Sequence, residues 1–191
     1  MATVRQSVSN KAVWVDHPTW FETAADAMVT DNPKVLLGIK TADCAPVLLA
    51  DEKHGIIGAA HAGWRGAYKG VVENTVALMI EHGAQSENIC AAVGPCMQQK
   101  SFAVKADMRD LILAQGLENA KYFTSENEET FYFDLSGYLV DKLYALGIKN
   151  VENAKIDTYS SSQYFSFRRN THLGLIKVPK DYPTQFSCIR L

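Results

Sequence analysis

With 191 residues, 47% of them hydrophobic and 21% charged, the chain has a globular composition and enough length to bury a core without staples. A formal net charge of -2 offers no basic surface for nucleic acid, and no apolar run is long enough to span a membrane. No signal peptide opens the sequence, and its four cysteines form no CxxC pair, so free thiols in a cytoplasmic protein are expected.

The segment from Met1 to Gln6 reads as entry into a strand. Three short apolar runs follow: Val35 to Ile39, Pro46 to Ala50, and Gly55 to Ala60 after a turn at residues 51–54. Together they predict adjacent central strands of one sheet. Val72, Val76, Met79 and Ile80 then fall on one face of a helix that Gly83 closes. Ile89 to Val93 reads as a strand stopping at Gly94-Pro95, and Val104 to Ala114 as a helix ending near Gly116. Thr130 to Leu135 alternates as a strand does. Ser136 is placed to cap a helix that runs to Leu146 and ends at Gly147. Val151 to Thr158, Tyr164 to Arg168 and Gln185 to Leu191 read as strands, and Pro179 to Pro183 as a surface loop. Cys90 and Cys188 lie in apolar runs and are expected to be buried. Trp14, Trp20 and Phe21 read as core or pocket wall. Strands and helices mix throughout, which predicts an α/β fold with a mixed sheet and helices packed on its faces.

The chemistry concentrates at two places. Asp43-Cys44 interrupts two apolar strands, where a polar pair is unfavourable unless satisfied or used. His61 ends the next strand, and Gly63-Trp64-Arg65-Gly66 leads from it into a helix. If the two strands are neighbours, Cys44 and His61 share one sheet edge. Three readings compete: a thiolate and an imidazole binding one zinc ion, a Cys44 nucleophile activated by His61, or two buried structural groups. The glycines flanking Trp64-Arg65 let a ligand approach the backbone and favour a site. Arg65 is a candidate anion clamp at the helix start. Arg168-Arg169 form a second basic pair, with one of the two expected to point outward. Cys96, just past Gly94-Pro95, is a candidate for the same pocket. There is no GxGxxG, P-loop or GxSxG motif. The five histidines include no HxH pair, so a multicopper cluster within one chain is not expected.

Five segments, spread over nearly the whole chain, resemble the laccase-domain family, also called multicopper polyphenol oxidases or peptidoglycan editing factors. They are Ala25-Asp26-Ala27-Met28-Val29-Thr30, Thr41-Ala42-Asp43-Cys44-Ala45-Pro46, His61-Ala62-Gly63-Trp64-Arg65-Gly66, Gly94-Pro95-Cys96 and Phe165-Ser166-Phe167-Arg168-Arg169. The resemblance implies a single catalytic domain over 1–191, without the family's N-terminal extension. It implies a three-layer α/β/α sandwich related to cysteine hydrolases. It implies a zinc-dependent enzyme that phosphorolyses adenosine, inosine and methylthioadenosine and deaminates adenosine. Partners would be a purine nucleoside and phosphate. Copper-dependent polyphenol oxidation, or a metal-free Cys/His hydrolase with a role in editing peptidoglycan precursors, are the alternatives. Cys44 and His61 match two of three metal ligands, with Asp43 and Arg65 beside them as catalytic candidates. Arg65, Arg168 and Cys96 are the substrate-binding candidates. The third ligand belongs in a Gln-x-His segment, which here reads Gln6-Ser7-Val8. Ala103 stands where a glutamate is usual. Val8 cannot bind metal, so weakened zinc binding is expected, with His17 a weak substitute.

Overall fold

The structure is a computed structural model that describes residues 1–177 and 182–191. In chain order the strands are β1 (Thr3–Arg5), β2 (Ala12–Trp14), β3 (Trp20–Ala24), β4 (Ala27–Thr30), β5 (Leu37–Thr41), β6 (Ala45–Asp51), β7 (Ile56–Ala62), β8 (Cys90–Val93), β9 (Ala103–Lys105), β10 (Phe123–Ser125), β11 (Thr130–Phe133), β12 (Asn150–Asn153) and β13 (Gln185–Ile189). The helices are α1 (Trp64–Lys69), α2 (Val71–Glu81), α3 (Ala106–Leu113), α4 (Leu135–Ala145) and α5 (Phe167–His172).

A six-stranded sheet in the order β12-β8-β6-β7-β4-β2 forms the centre. Its two outer pairs are parallel and its inner pairs antiparallel, so the sheet is mixed and the fold is α/β, as the sequence predicts. Alternation along the strands feeds two cores. Val47 and Leu49 on β6, with Ala27 and Val29 on β4, pack with Val72, Val76 and Met79 of α2 and Leu139 and Leu143 of α4. Leu48, Met28, Ile57 and Ala59 face the other way, toward Val4, Leu37 and Ile39. Gly58 lets α2 lie close over β7, since a Cβ there would stand 3.0 Å from Met79 Sδ. Three layers are therefore present, with the mixed sheet in the middle. Helices supply the layer on one face, whereas β1, β5 and β13 supply much of the other.

Several local expectations change. β5 does not join β6 and β7 in the central sheet but pairs antiparallel with β13. The bend at residues 42–44 carries the chain from one layer to the next, so consecutive apolar runs end in different sheets. Tyr164 to Arg168 is not a strand: Ser166 accepts a hydrogen bond from the Arg169 amide at 3.1 Å and caps α5. Beyond Asn153 the chain leaves β12 well before Thr158. Asp134, not Ser136, caps α4, through a 2.9 Å bond from the Gly137 amide. Cys90 and Cys188 are exposed because each sits at an outward position of an alternating strand. Ile80 and Trp20 are likewise exposed. Most of the predicted loop at Pro179 to Pro183 lies outside the described residues. Among the described residues no helix is long and apolar enough to cross a membrane.

Candidate functional site

The β6–β7 hairpin builds the site through its register. Ala45 pairs with Ala62 and Pro46 with His61, which sets Cys44 against Gly63. A β-carbon on Gly63 would lie 2.8 Å from Cys44 Sγ and 3.9 Å from His61 Nε2. Sulfur and imidazole thus converge on a gap that only glycine leaves open. The sequence reading placed both groups at one sheet edge, and the structure brings them together there.

His61 is held from both sides. Its Nδ1 donates to Asp26 Oδ1 at 2.8 Å, and Cys44 lies beside the ring at Gly63. Since Nδ1 is engaged by Asp26, Nε2 is the ring atom that converges with the sulfur on Gly63. Burial opposes charge on this imidazole, but the neighbouring Cys44 and the Asp26 hydrogen bond outweigh it and push His61 up to about 10. The Asp26 side chain is fully buried. Burial would raise its pKa, yet hydrogen bonds from His61, from the Ser9 hydroxyl and from the Ser9 and Ser7 amides hold the carboxyl well below the usual range.

That same carboxylate shapes the N-terminal segment. Ser7 N, Val8 N and Ser9 N donate to it at 3.1, 3.1 and 2.7 Å. They wrap the anion as a nest of backbone amides does. Val8 adopts φ 59, a left-handed conformation that is a genuine outlier for a β-branched residue.

Asp43 is the second strained point, at φ 85. Its side chain accepts from Thr158 Oγ1 at 2.7 Å and from the Arg168 amide at 2.7 Å, while its carbonyl accepts from Met97 N at 2.9 Å. One buried aspartate thereby ties the 97, 158 and 168 segments around Cys44. Beside it lies a cavity of about 220 Å³ lined by Asp43, Cys44, Trp64, Met97, Phe102, Leu135, Phe167 and Arg168, among others. Its apolar and aromatic walls suit a flat, partly apolar ligand. A larger polar cleft of about 1130 Å³, lined by residues such as Lys100, Asp134 and Ser160, does not include Cys44 or His61.

The other candidates are placed as follows. Arg168 donates from Nη1 to the Ala103 carbonyl at 3.1 Å and reaches the cavity from its rim. Arg65 is exposed and stacks on Trp64, 4.3 Å from the ring centroid. Cys96 is fully buried, accepts from Gln98 Nε2 at 3.3 Å, and does not line the cavity. Burial pushes its thiol up to about 12. Arg169 turns inward and donates to the carbonyls of Thr158, Tyr159, Ser161 and Tyr164. Sequence reasoning assigned no role to Asp26, Thr158 or Phe167. For Asp26 a signal existed: a carboxylate set within the apolar segment 25–29 needs a buried partner.

The donor chemistry fits zinc in part. Thiolate and imidazole are both zinc ligands, and a carboxylate behind the imidazole is the usual outer support. However, no three His, Cys, Asp or Glu side chains among the described residues form a group that could hold a metal ion. Position 8 is valine, and His17 is exposed between β2 and β3. The pair stands one donor short of the three protein ligands typical of catalytic zinc.

Residues 1–177 match the family described as multi-copper polyphenol oxidoreductase laccase. A purine nucleoside phosphorylase of Rickettsia prowazekii (strain Madrid E) is 36% identical over 172 residues, covering 89% of this chain and 71% of that protein. A purine nucleoside phosphorylase of Deinococcus radiodurans is 36% identical over 170 residues, covering 88% of this chain and 64% of that protein. The crystal structure of a Neisseria meningitidis protein matches with a TM-score of 0.80 at 31% identity, over 88% of this chain and 69% of that one. The hypothetical protein YfiH of Bacillus licheniformis matches with a TM-score of 0.84 at 26% identity, over 89% and 69%.

Proposed function

The chain belongs to the multi-copper polyphenol oxidoreductase laccase family, and from that premise we propose that it is an enzyme of purine nucleosides whose reaction centre is Cys44 and His61. The observation that carries this is the convergence of the Cys44 sulfur and His61 Nε2 beside an aromatic-walled cavity. The substrates are adenosine, inosine and methylthioadenosine with phosphate, and adenosine for deamination. Zinc is the favoured metal and copper the alternative. When bound, the metal supplies Lewis-acid activation of an oxygen nucleophile.

The chain's own residues do the rest. Phosphorolysis breaks the bond between the base nitrogen and C1′, joins C1′ to a phosphate oxygen, and leaves the purine in need of a proton. Asp26 fixes the His61 ring through Nδ1, so Nε2 is the atom that would hold the metal, or that carries a proton in the metal-free reading. Phe102, Phe167 and Trp64 offer faces to the base and exclude water. Arg168, which lines the cavity, and Arg65, stacked on the lining residue Trp64, are candidate cations for phosphate. Asp43 lines the cavity and also holds the surrounding loops through both carboxylate oxygens.

A second reading is a metal-free thiol hydrolase. The Cys44–His61–Asp26 chain supports it, because a thiol, an imidazole and an orienting carboxylate make an activated nucleophile. Purified protein should release base from adenosine and inosine only with phosphate, and Cys44→Ala and His61→Ala should each abolish this. Full turnover in a strong chelator would remove the metal and leave the thiol reading. Copper-dependent phenol oxidation without nucleoside turnover would favour the oxidase.

A further inference from the structure

The Asp26 carboxylate divides its two oxygens between two parts of the molecule. Oδ1 accepts from His61 Nδ1 at 2.8 Å and from the Val8 amide at 3.1 Å. Oδ2 accepts from the Ser9 amide and the Ser9 hydroxyl, both at 2.7 Å, and from the Ser7 amide at 3.1 Å. The group is fully buried, so water does not compete for these bonds. The His61 amide also donates to the Asp26 carbonyl at 2.7 Å, which fixes the distance between the two backbones. Small movements of the carboxylate therefore cannot be absorbed by the strands and must appear in the ring or in the segment 7–9.

We infer that Asp26 is a positioning residue that couples the N-terminal segment 7–9 to the orientation of the His61 ring. The carboxylate directs Nδ1–H inward and leaves Nε2 aimed at Cys44. The same charge supports three amides around Val8, whose left-handed backbone is unfavourable without them. A change in segment 7–9 is thus felt at Nε2 through one shared anion, not through contact with Cys44. This rests on the reading that Cys44 and His61 form the reaction centre, whichever cofactor serves it.

The test reads the ring rather than turnover. Proton and ring-nitrogen magnetic resonance of the full chain, with His61 identified by its loss in His61→Gln, should show a low-field, exchange-protected Nδ1 proton. In Asp26→Asn that proton should disappear or move upfield. Cobalt affinity, followed by the sulfur-to-cobalt absorption band, should fall by roughly 10- to 100-fold, as for other lost supports of a ligating histidine. Ser9→Ala keeps the carboxylate and removes the hydroxyl bond to it, together with the 3.3 Å bond that the hydroxyl accepts from the Lys11 amide. It should shift the same proton and weaken cobalt by roughly 2- to 10-fold, the usual worth of one hydrogen bond. Should Asp26→Asn fail to fold, Ser9→Ala alone decides; where wild type binds no cobalt, the proton alone decides. A wild-type His61 without the protected Nδ1 proton overturns the inference. So does a Ser9→Ala protein whose ring signals are unchanged. Absent nucleoside turnover with the ring proton in place would remove the proposed function and leave this coupling standing.

Discussion

Gly63 and Cys44 are packed so tightly that no β-carbon fits between them: one on residue 63 would stand 2.8 Å from the sulfur. The Gly63→Ala protein should therefore fold with Cys44 displaced from His61. Destabilisation of about 1–3 kcal/mol is expected from the overpacking. Turnover should fall by about 10- to 100-fold, because misplacing a reacting group by about an ångström has that effect. Thermal unfolding together with kcat/KM checks this, and undiminished turnover would show that the close approach is not needed.

Position 8 separates strain from ligand chemistry. Val8→Gly should stabilise the protein by about 1 kcal/mol, since φ 59 is unfavourable for valine and free for glycine. Val8→His should leave stability nearly unchanged while raising zinc affinity at least about tenfold, given the effect even of outer-shell partners. Zinc titration and adenosine turnover measure the second effect. A chain that already holds zinc tightly and gains nothing from Val8→His draws its third ligand from elsewhere.

Acid should weaken the β6–β7 hairpin through Asp51. Its burial raises the pKa, but the Gln85 amide and the ring and amide of His54 outweigh this and hold the carboxyl below the ordinary 3.8. A depressed folded-state value means stability that is fully present above 3.8 and is lost as pH falls below it toward the folded value. The Asp51 contribution, read as the difference between the wild-type and Asp51→Asn urea midpoints, should be flat from neutrality to about pH 5 and drop below about pH 4. Asp51→Asn should be less stable at neutral pH and show a shallower drop. Parallel curves for the two proteins would remove Asp51 from the account.

Arg169 should prove structural. Its guanidinium serves four carbonyls of the 158–164 loop at 2.6 to 3.0 Å. Arg169→Ala should destabilise by about 3 kcal/mol, because bonds to a charged donor are worth about 1.5–3 kcal/mol each and do not add fully. Arg169→Lys should restore little, as a single ammonium cannot reproduce the planar fork. Chemical denaturation of both variants provides the measurement, and a fully stable Lys variant would contradict it.

The sequence by itself determined the elements whose signal is local. Val47 and Leu49, or Ile56 to Ala60, sit in apolar runs that any sheet would bury. Gly83 and Gly147 mark helix ends because only glycine takes their backbone angles freely. Cys44 and His61 stood out because a polar pair and an imidazole interrupt or end such runs. What the sequence could not decide was which surface each element meets. Whether Leu37 joins β6 or crosses to β13, and whether Cys90 faces core or solvent, depends on layers assembled from distant segments. The helix at Phe167 likewise depends on Asp43, far back in the chain, holding the Arg168 amide. The role of Asp26 belongs to the same class: a buried carboxylate signals that a partner exists, but not that one anion serves both His61 and the turn at Val8. Only the tertiary structure decided that, because those bonds join residues 17 to 35 positions apart in sequence and exist only once the sheet has closed.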